Sequence, residues 1–548
     1  MRHEIWSKFC GFIDLPLDDF MRVQASYLLE QLDFLGRSDI GRKFLGNKAP
    51  RSVEEFRERV PLTSYDDYYP FFSERNDEGL PEKPYVWCRT SGRSGIYPFK
   101  WIPFTRQAFN KHSEHAMATV IFGGCSKRGE IVMEPGDTIL YALAPRPYMS
   151  GAIMADGLVH QFDFNFLPDI KTAEGMSFQD RTKVGFQLAL KKGLDFFLGI
   201  ASVLVAVGER FERGEGGGFS RELLHPATLR RILGGVMKSK VKRREMLPKD
   251  VWNLKCVGTG GTDTQVYRKR IAHYWGKEPV EAYGCTEGGI ISIQTWGRRG
   301  LVFVPDTNFL EFLPVEPPAG PDGITRAQVA AARAVAERNG RGETRAPIRT
   351  AGEAVGGTLL LDQLQEGVTY EIVLSNFLGG CLVRYRTGDI VRINTKGDPE
   401  LGIQIPHMHF FGREQDIIDL SGFTRLTEVI LWKALEESGV RYTDWVCRKE
   451  YDGDRVFLRL YVEPKEARPE KEIRDLVHEQ LREIDHDYAA LVEITGRVPL
   501  EVTLLPQGAF SGYMAEMARR GVELAHLKPR RMGPPAGNLG LLQRAGAP

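Results

Sequence analysis

The chain has 548 residues, 42% of them hydrophobic and 26% charged, with 73 Lys and Arg against 72 Asp and Glu. That length exceeds one compact core and predicts a large domain joined to smaller ones. A net charge near zero gives no global pull toward nucleic acid or an anionic membrane, so neither is expected as a partner.

The seven cysteines are scattered and form no CxxC pair. That dispersal predicts reduced thiols and a cytoplasmic setting. No apolar run reaches the roughly 18 residues of a membrane span. The N-terminus carries Glu4 and lacks the apolar core of a signal peptide.

The first ~75 residues read as helical. Phe20, Val23, Tyr27, Leu28, Leu32 and Leu35 fall at helical spacing. Thr63 or Ser64 is placed to cap a short helix from Tyr65. Thr90-Ser91-Gly92-Arg93-Ser94-Gly95 and, five residues on, Lys100 put hydroxyls, glycines and cations together. Such a stretch suits a phosphate cradle, though not a Walker loop, because the GxxxxGK[ST] spacing is absent. A plain surface loop fits it equally.

A strand is expected over 139–144, ending at Pro145 to Gly151, and a helix over 182–192. The apolar stretch 194–207 reads as a buried helix. The basic run 237–244 reads as a solvated face. Next comes the stretch that organises the chain. Residues 253–257 read as a strand, followed by Gly258-Thr259-Gly260-Gly261. A helix over 264–275 and a strand over 280–282 then lead into Tyr283-Gly284-Cys285-Thr286-Glu287-Gly288-Gly289. Strand, helix, strand predicts a parallel pair whose loops open at the carboxyl edge, where open α/β sheets bind ligands. The loop holds an aromatic ring, a hydroxyl and a carboxylate. An ordinary glycine-rich strand-to-helix turn is the alternative.

Strands are expected over 301–304 and 309–313. Residues 315–357 read as a surface insertion carrying an Ala/Arg-rich helix. A hairpin of 370–374 and 382–385 is expected to deliver Tyr385-Arg386-Thr387-Gly388-Asp389, with Asp389 just past a strand end. Beyond residues 410–416 the pattern is a small α+β domain. Residues 533–548, rich in Gly, Pro and Ala, are expected to be disordered. The pair His407 and His409 lacks a third metal ligand nearby in sequence.

Three of these stretches, in this order, resemble the nucleotide motifs of the adenylate-forming (ANL) superfamily: Thr90 to Gly95 with Lys100, Tyr283 to Gly288, and Tyr385 to Asp389. Gly412-Arg413 with Asp416-Ile417-Ile418 resembles that superfamily's hinge. Within it the chain most resembles the auxin-responsive Gretchen Hagen acyl acid–amido synthetases. The resemblance lies in Val60-Pro61-Leu62-Thr63-Ser64-Tyr65-Asp66-Asp67, Lys100-Trp101-Ile102-Pro103, Phe309 to Pro314, and Gly508-Ala509-Phe510 with Leu527-Lys528-Pro529-Arg530. It spans residues 20–532. Arg93 stands where these families usually carry Thr, and Lys100 lies one residue further on than in the plant enzymes.

The resemblance implies an α/β fold. A large multi-subdomain adenylation domain (1–411) is joined by a hinge (412–416) to a small mobile α+β domain (417–532). It implies ATP and Mg²⁺ as cofactors, a small carboxylic acid as substrate, and an amine or amino acid as acceptor. CoA is the alternative acceptor, and an inactive scaffold the alternative to an enzyme. Thr90, Ser91, Gly92, Arg93, Ser94 and Lys100 would hold phosphates. Gly260, Gly261, Tyr283 and Gly284 would frame adenine, Thr286 would meet the α-phosphate, and Glu287 would hold Mg²⁺. Asp389 would take the ribose. Arg413 would reach the nucleotide from the hinge, and Lys528 would swing in for adenylation. The acid would lie near Tyr148, Ser150 and Gly151.

Overall fold

The structure, a computed structural model, describes the chain apart from residues 1, 91–99, 177, 215–224, 261–263, 316–356, 414–416, 421–423, 453–454, 486–487, 490, 493–496, 521–528, 535 and 545–548. The Ala/Arg-rich insertion therefore lies outside the described residues.

A short antiparallel pair, β1 (Val86–Arg89) and β2 (Trp101–Phe104), stands apart from the main sheet. The parallel part of that sheet holds β3 (Thr138–Ala142), β4 (Asn165–Leu167), β5 (Phe196–Ile200), β6 (Cys256–Gly260) and β7 (Val280–Cys285). Its antiparallel part holds β8 (Gly289–Gln294), β9 (Leu301–Phe303), β10 (Asn308–Pro314), β11 (Thr369–Asn376), β12 (Tyr385–Thr395) and β13 (His407–Arg413). Among the described residues these eleven strands make one sheet in the order β10-β11-β12-β13-β9-β8-β7-β6-β5-β3-β4. The helix Thr264–Trp275 crosses between β6 and β7, which pair in parallel as expected.

Three expectations are corrected here. The apolar stretch 194–207 is not one helix: it splits into β5 and the helix Ala201–Glu212. Phe196 and Phe197 point to opposite faces and both are fully buried. A parallel strand covered on both faces reads as an unbroken apolar run, which mimics a buried helix. The strand expected over 253–257 lies over 256–260, so Gly258 and Gly260 sit inside β6 rather than in a loop. Gly258 is needed there: a Cβ would fall 2.4 Å from Leu198 on β5. The tail is not wholly without structure. Residues Ala536–Arg544 form a helix, with Leu539 and Leu542 buried against Val446, Tyr461, Phe510 and Tyr513.

The N-terminal helices brace the antiparallel edge. On the helix Leu17–Leu35 two glutamines are buried among the leucines. Gln24 donates to Asn308 O (2.8 Å) and accepts from Leu310 N (2.9 Å), so the free edge of β10 is satisfied by a side chain. Gln31 does the same for the turn at Gly379 and Gly380. Ser64 starts the helix Tyr65–Phe72, where its N–H donates to Asp67 (2.8 Å). Thr63 extends along β12. Its N–H donates to Arg384 O and its O accepts from Arg386 N, both at 2.9 Å. Next to it the buried Arg384 guanidinium grips both oxygens of buried Glu311 (2.9 and 3.0 Å) and the carbonyls of Arg57 and Val60.

The small domain holds the antiparallel pair β14 (Ile417–Leu420) and β15 (Thr424–Thr427), and a second sheet of β16 (Tyr442–Asp452), β17 (Arg455–Pro464) and β18 (Leu500–Leu504). Helices Glu428–Glu437 and Glu470–Ile484 pack on it. Its helix Glu428–Glu437 meets the crossover helix of the large domain. The Tyr267 and Trp432 rings cross edge-on at 5.6 Å, and Arg270 lies 4.0 Å from Glu436.

Leu542→Ala is expected to destabilise the small domain by about 2–4 kcal/mol, because it opens a cavity under a fully buried leucine. Urea unfolding followed by tryptophan fluorescence measures this. An unchanged midpoint rules out a packed tail.

Candidate active site

The turn between β7 and β8 holds Thr286, Glu287 and Gly288, so the central loop is a strand-to-strand hairpin rather than the strand-to-helix turn. Two asparagines clamp it. Asn376 donates to Glu287 O (3.0 Å) and to Asn308 Oδ1 (2.9 Å), and Asn308 donates to Gly288 O (2.7 Å). Gly289 takes a positive φ of 59°, and a Cβ there would fall 2.3 Å from the His112 ring. His112 Nδ1 accepts from Ile290 N–H (3.2 Å), locking the first residues of β8 to the helix Arg106–Gly124.

This clamp aims the Glu287 carboxylate into a closed triangle. Lys100 Nζ donates to Glu287 Oε1 (3.1 Å) and to the Tyr385 hydroxyl (2.9 Å), and that hydroxyl donates to Glu287 Oε1 (3.1 Å). The three residues come from three places: the start of β2, the β7–β8 turn and the start of β12. Burial, and next the Glu287 charge, push the Tyr385 phenol far above its ordinary value, so it stays protonated and donates.

A second carboxylate lies on the neighbouring strand. Between Glu371 and Val373 the β11–β12 register shifts, and Thr387, Gly388 and Asp389 bulge opposite Ile372. Gly388 has φ 72°, and the Thr387 hydroxyl donates to Ile372 O (2.8 Å). The bulge re-aims Asp389, which therefore sits inside β12 rather than past a strand end. The Tyr283 hydroxyl donates to Asp389 Oδ2 (2.7 Å), and the Tyr283 ring stacks on Phe410 with centroids 5.5 Å apart.

Three regions match domains of one family in chain order. Residues 12–135 match the GH3 family N-terminal domain, 301–413 its central domain and 428–533 its C-terminal domain. The chain belongs to the GH3 family. Its fold is similar to that of the AtGH3.15 acyl acid amido synthetase solved in complex with 2,4-DB. That match has 17% identity and a TM-score of 0.64, and covers 97% of this chain and 94% of the other. It is also similar to a 2-hydroxyisobutyryl-CoA ligase solved in the postadenylation state with R3-HIB-AMP. There the identity is 14% and the TM-score 0.56, over 97% of this chain and 93% of the other. No curated protein sequence matches the chain.

In this GH3 chain the sequence-predicted residues fall into three groups. Lys100, Tyr283, Thr286, Glu287 and Asp389 gather at the β7–β8 turn and the start of β12. Gly284 sits in the same hairpin, where a Cβ would meet Gly289 O at 2.3 Å. Thr90 directly precedes residues 91–99 and pairs with the residue that follows them. Its N–H donates to Lys100 O and its hydroxyl accepts from Lys100 N, both at 2.9 Å. Arg413, the last residue of β13, lies in register with Asp389. Tyr148 lies beyond the end of β3, where its hydroxyl accepts from Arg89 (2.6 Å), one residue before Thr90. Ser150 is half-buried. Gly151 is a packing residue, because a Cβ would fall 2.2 Å from Ala144 O. Gly260 ends β6. Ser91, Gly92, Arg93, Ser94, Gly261 and Lys528 lie outside the described residues.

Sequence reasoning missed Tyr385, His112 and the two asparagines. Tyr385 opens the very stretch that was singled out, but its hydroxyl carries no signal apart from the fold. Cys285 is half-buried, and His407 and His409 join no cluster that holds a metal among the described residues.

Burial, then the neighbouring His115, push the His112 imidazole down to about 3. An unfolded histidine near 6.5 binds a proton that the folded state refuses, so stability falls as pH drops below 6.5. Between pH 7 and pH 5 this group is expected to cost about 2 kcal/mol. In His112→Asn the loss over the same interval should be smaller by that amount in paired urea titrations. Equal losses in the two proteins defeat the assignment.

Proposed function

We propose that the chain is an ATP-dependent ligase that activates a carboxylic acid as acyl-AMP and passes it to an amine, making an amide with an amino acid. The observation that carries this reading is the pairing of the Lys100–Glu287–Tyr385 triangle with the Tyr283–Asp389 contact at one sheet edge. Asp389 is satisfied by a hydroxyl, the kind of donor a ribose would supply, and Glu287 by a cation, the charge a bound metal would supply. A ribose hydroxyl would replace the Tyr283 hydroxyl on Asp389. A divalent cation would replace the Lys100 ammonium on Glu287 and free that lysine for phosphate. The donor set suits Mg²⁺, which is commonly held by one or two carboxylates together with substrate phosphates. Magnesium bound there would offset the charge that develops on the departing pyrophosphate.

The physical obstacle in the first half-reaction is one anion approaching another. Lys100 supplies a cation directly after residues 91–99, whose hydroxyls, glycines and Arg93 would cover the phosphates. The acid carboxylate would attack the α-phosphorus from the side of Tyr148 and Ser150. One P–O bond forms, the bond to pyrophosphate breaks, and Thr286 steadies the oxygen between them. Residues 412–416 would serve as the hinge, from which Arg413 would reach the ribose or phosphate, while Lys528 would be carried by the small domain. Lys528 closes over the nucleotide for adenylation and leaves before the acceptor enters.

The primary test is acid-dependent exchange of labelled pyrophosphate into ATP over a panel of aliphatic and aromatic acids. Mass spectrometry of products formed with amino acids or CoA then follows. No exchange with any acid leaves a scaffold, and thioester without amide makes the chain an acyl-CoA ligase.

Glu287→Gln is expected to lower the exchange rate by a factor equivalent to about 1.5–3 kcal/mol, because it removes one charged contact made at the phosphates. Asp389→Ala should chiefly raise KM for ATP, since ribose contacts act alike on ground and transition states. Wild-type kinetics in Glu287→Gln would refute its role.

Lys528→Ala should abolish exchange yet still transfer the acyl group from synthetic acyl-adenylate. Loss of both steps in a folded protein removes this role from Lys528.

A further inference from the structure

The helix Pro226–Val241 is built inside out. Its buried face is made of small residues, Thr228, Gly235 and Ser239. A Cβ on Gly235 would fall 2.9 Å from Met246. Large apolar side chains face outward instead: Leu229 is 43% exposed, Leu233 61%, Met237 69% and Val241 83%. They recur every fourth residue, which puts them on one row of the helix about 18 Å long.

Charge frames this row. Residues 226–244 contain seven Lys and Arg and no acid, in a chain whose net charge is +1. Some of these cations are used internally. Arg231 donates to Leu190 O and Lys191 O, and Arg244 pairs with Asp250 at 2.6 Å. Arg230, Lys240, Lys242 and Arg243 are exposed and make no ion pair among the described residues. Exposure of the apolar row rises toward the end where these cations gather.

From this we infer a peripheral docking surface for an anionic lipid bilayer. A helix with an apolar stripe flanked by Lys and Arg lies in the plane of a membrane interface, its stripe in the acyl boundary and its cations among acidic headgroups. The stems of Lys240 and Lys242 are long enough to reach the headgroups while their carbons lie on apolar surface. Other occupants fit less well. A second copy would set these exposed cations against the same cations of its partner. A specific protein interface uses about 20–30 residues a side, far more than one row of four. Residues 316–356 hold six arginines against five acids and offer no opposite charge.

The position in the fold suits attachment. The helix rests on Phe178–Lys192, whose end feeds the start of β5, so the patch lies at the amino edge of the parallel strands. The Glu287 turn leaves the carboxyl end of β7.

The test is cosedimentation of the full-length protein with vesicles. At low salt, binding to vesicles with one third phosphatidylglycerol should exceed binding to pure phosphatidylcholine by at least about tenfold, and should vanish in high salt. Leu233→Glu with Met237→Glu should abolish binding with an unchanged melting temperature. Lys240→Glu with Lys242→Glu should do the same. No binding, or equal binding to both vesicles, overturns the inference. So does binding of a polyglutamate peptide without vesicle binding, which would mark an acidic protein partner. A dimer in light scattering that the Leu233→Glu, Met237→Glu protein cannot form would identify a second copy and overturn it as well.

Discussion

The site hangs from one buried ion pair. Burial alone would raise the Glu311 carboxyl, but Arg384 and then Arg57 outweigh it and hold Glu311 below the ordinary carboxylate range. Removing either partner would strand a charge inside the large domain, at a cost of about 3–5 kcal/mol. The pair joins β10 to the start of β12 and, through the carbonyls of Arg57 and Val60, to the N-terminal helices. Arg384 itself adopts a positive φ of 44°. The next residue is Tyr385, so the strain and the ion pair together determine where its hydroxyl points. The triangle with Lys100 and Glu287 follows from that.

The same logic explains why stretches far apart in the chain act together. Val60 to Asp67 backs the triangle from outside: Thr63 bridges to Tyr385, and the Lys100 ammonium lies 5.5 Å from the centroid of the Tyr65 ring. It matters because Thr63 pairs with β12 on both sides of Tyr385 and Ser64 starts the next helix. Phe309 to Pro314 supplies Glu311. These segments carried the family resemblance, and their role in the fold is to hold others in place.

Much of this was legible in the sequence. The parallel crossover and the capped helix at Tyr65 follow from spacing and residue chemistry, and the grouping of Lys100, Glu287 and Asp389 from the resemblance of three ordered motifs. What was not legible is long-range. A doubly buried strand and a buried helix carry the same apolar run, so residues 194–207 were ambiguous at the level of pattern. Polar residues at apolar positions, such as Gln24, Gln31 and His112, show their purpose only when the strand or turn they satisfy is beside them. The β12 bulge leaves Gly388 as its trace, but a glycine alone does not say which way Asp389 turns. The basic run 237–244 was visible in the sequence, but the outward turn of Leu229, Leu233, Met237 and Val241 beside it shows only in the fold.

The Tyr283–Asp389 contact has a consequence for energetics. A fully buried carboxylate with no donor would be costly to keep, so the phenol acts as a tethered competitor for the place of an incoming hydroxyl. Any ligand must displace a rival held permanently within reach, so its apparent affinity falls to its intrinsic affinity multiplied by the fraction of time the contact is open. The Tyr283 ring also stacks on Phe410, so a ligand that displaces the hydroxyl acts on that stack as well. Phe410 lies on β13, three residues before Arg413 and the segment leading to the small domain. Occupancy of Asp389 is thereby linked, through one aromatic stack, to the strand from which that domain departs.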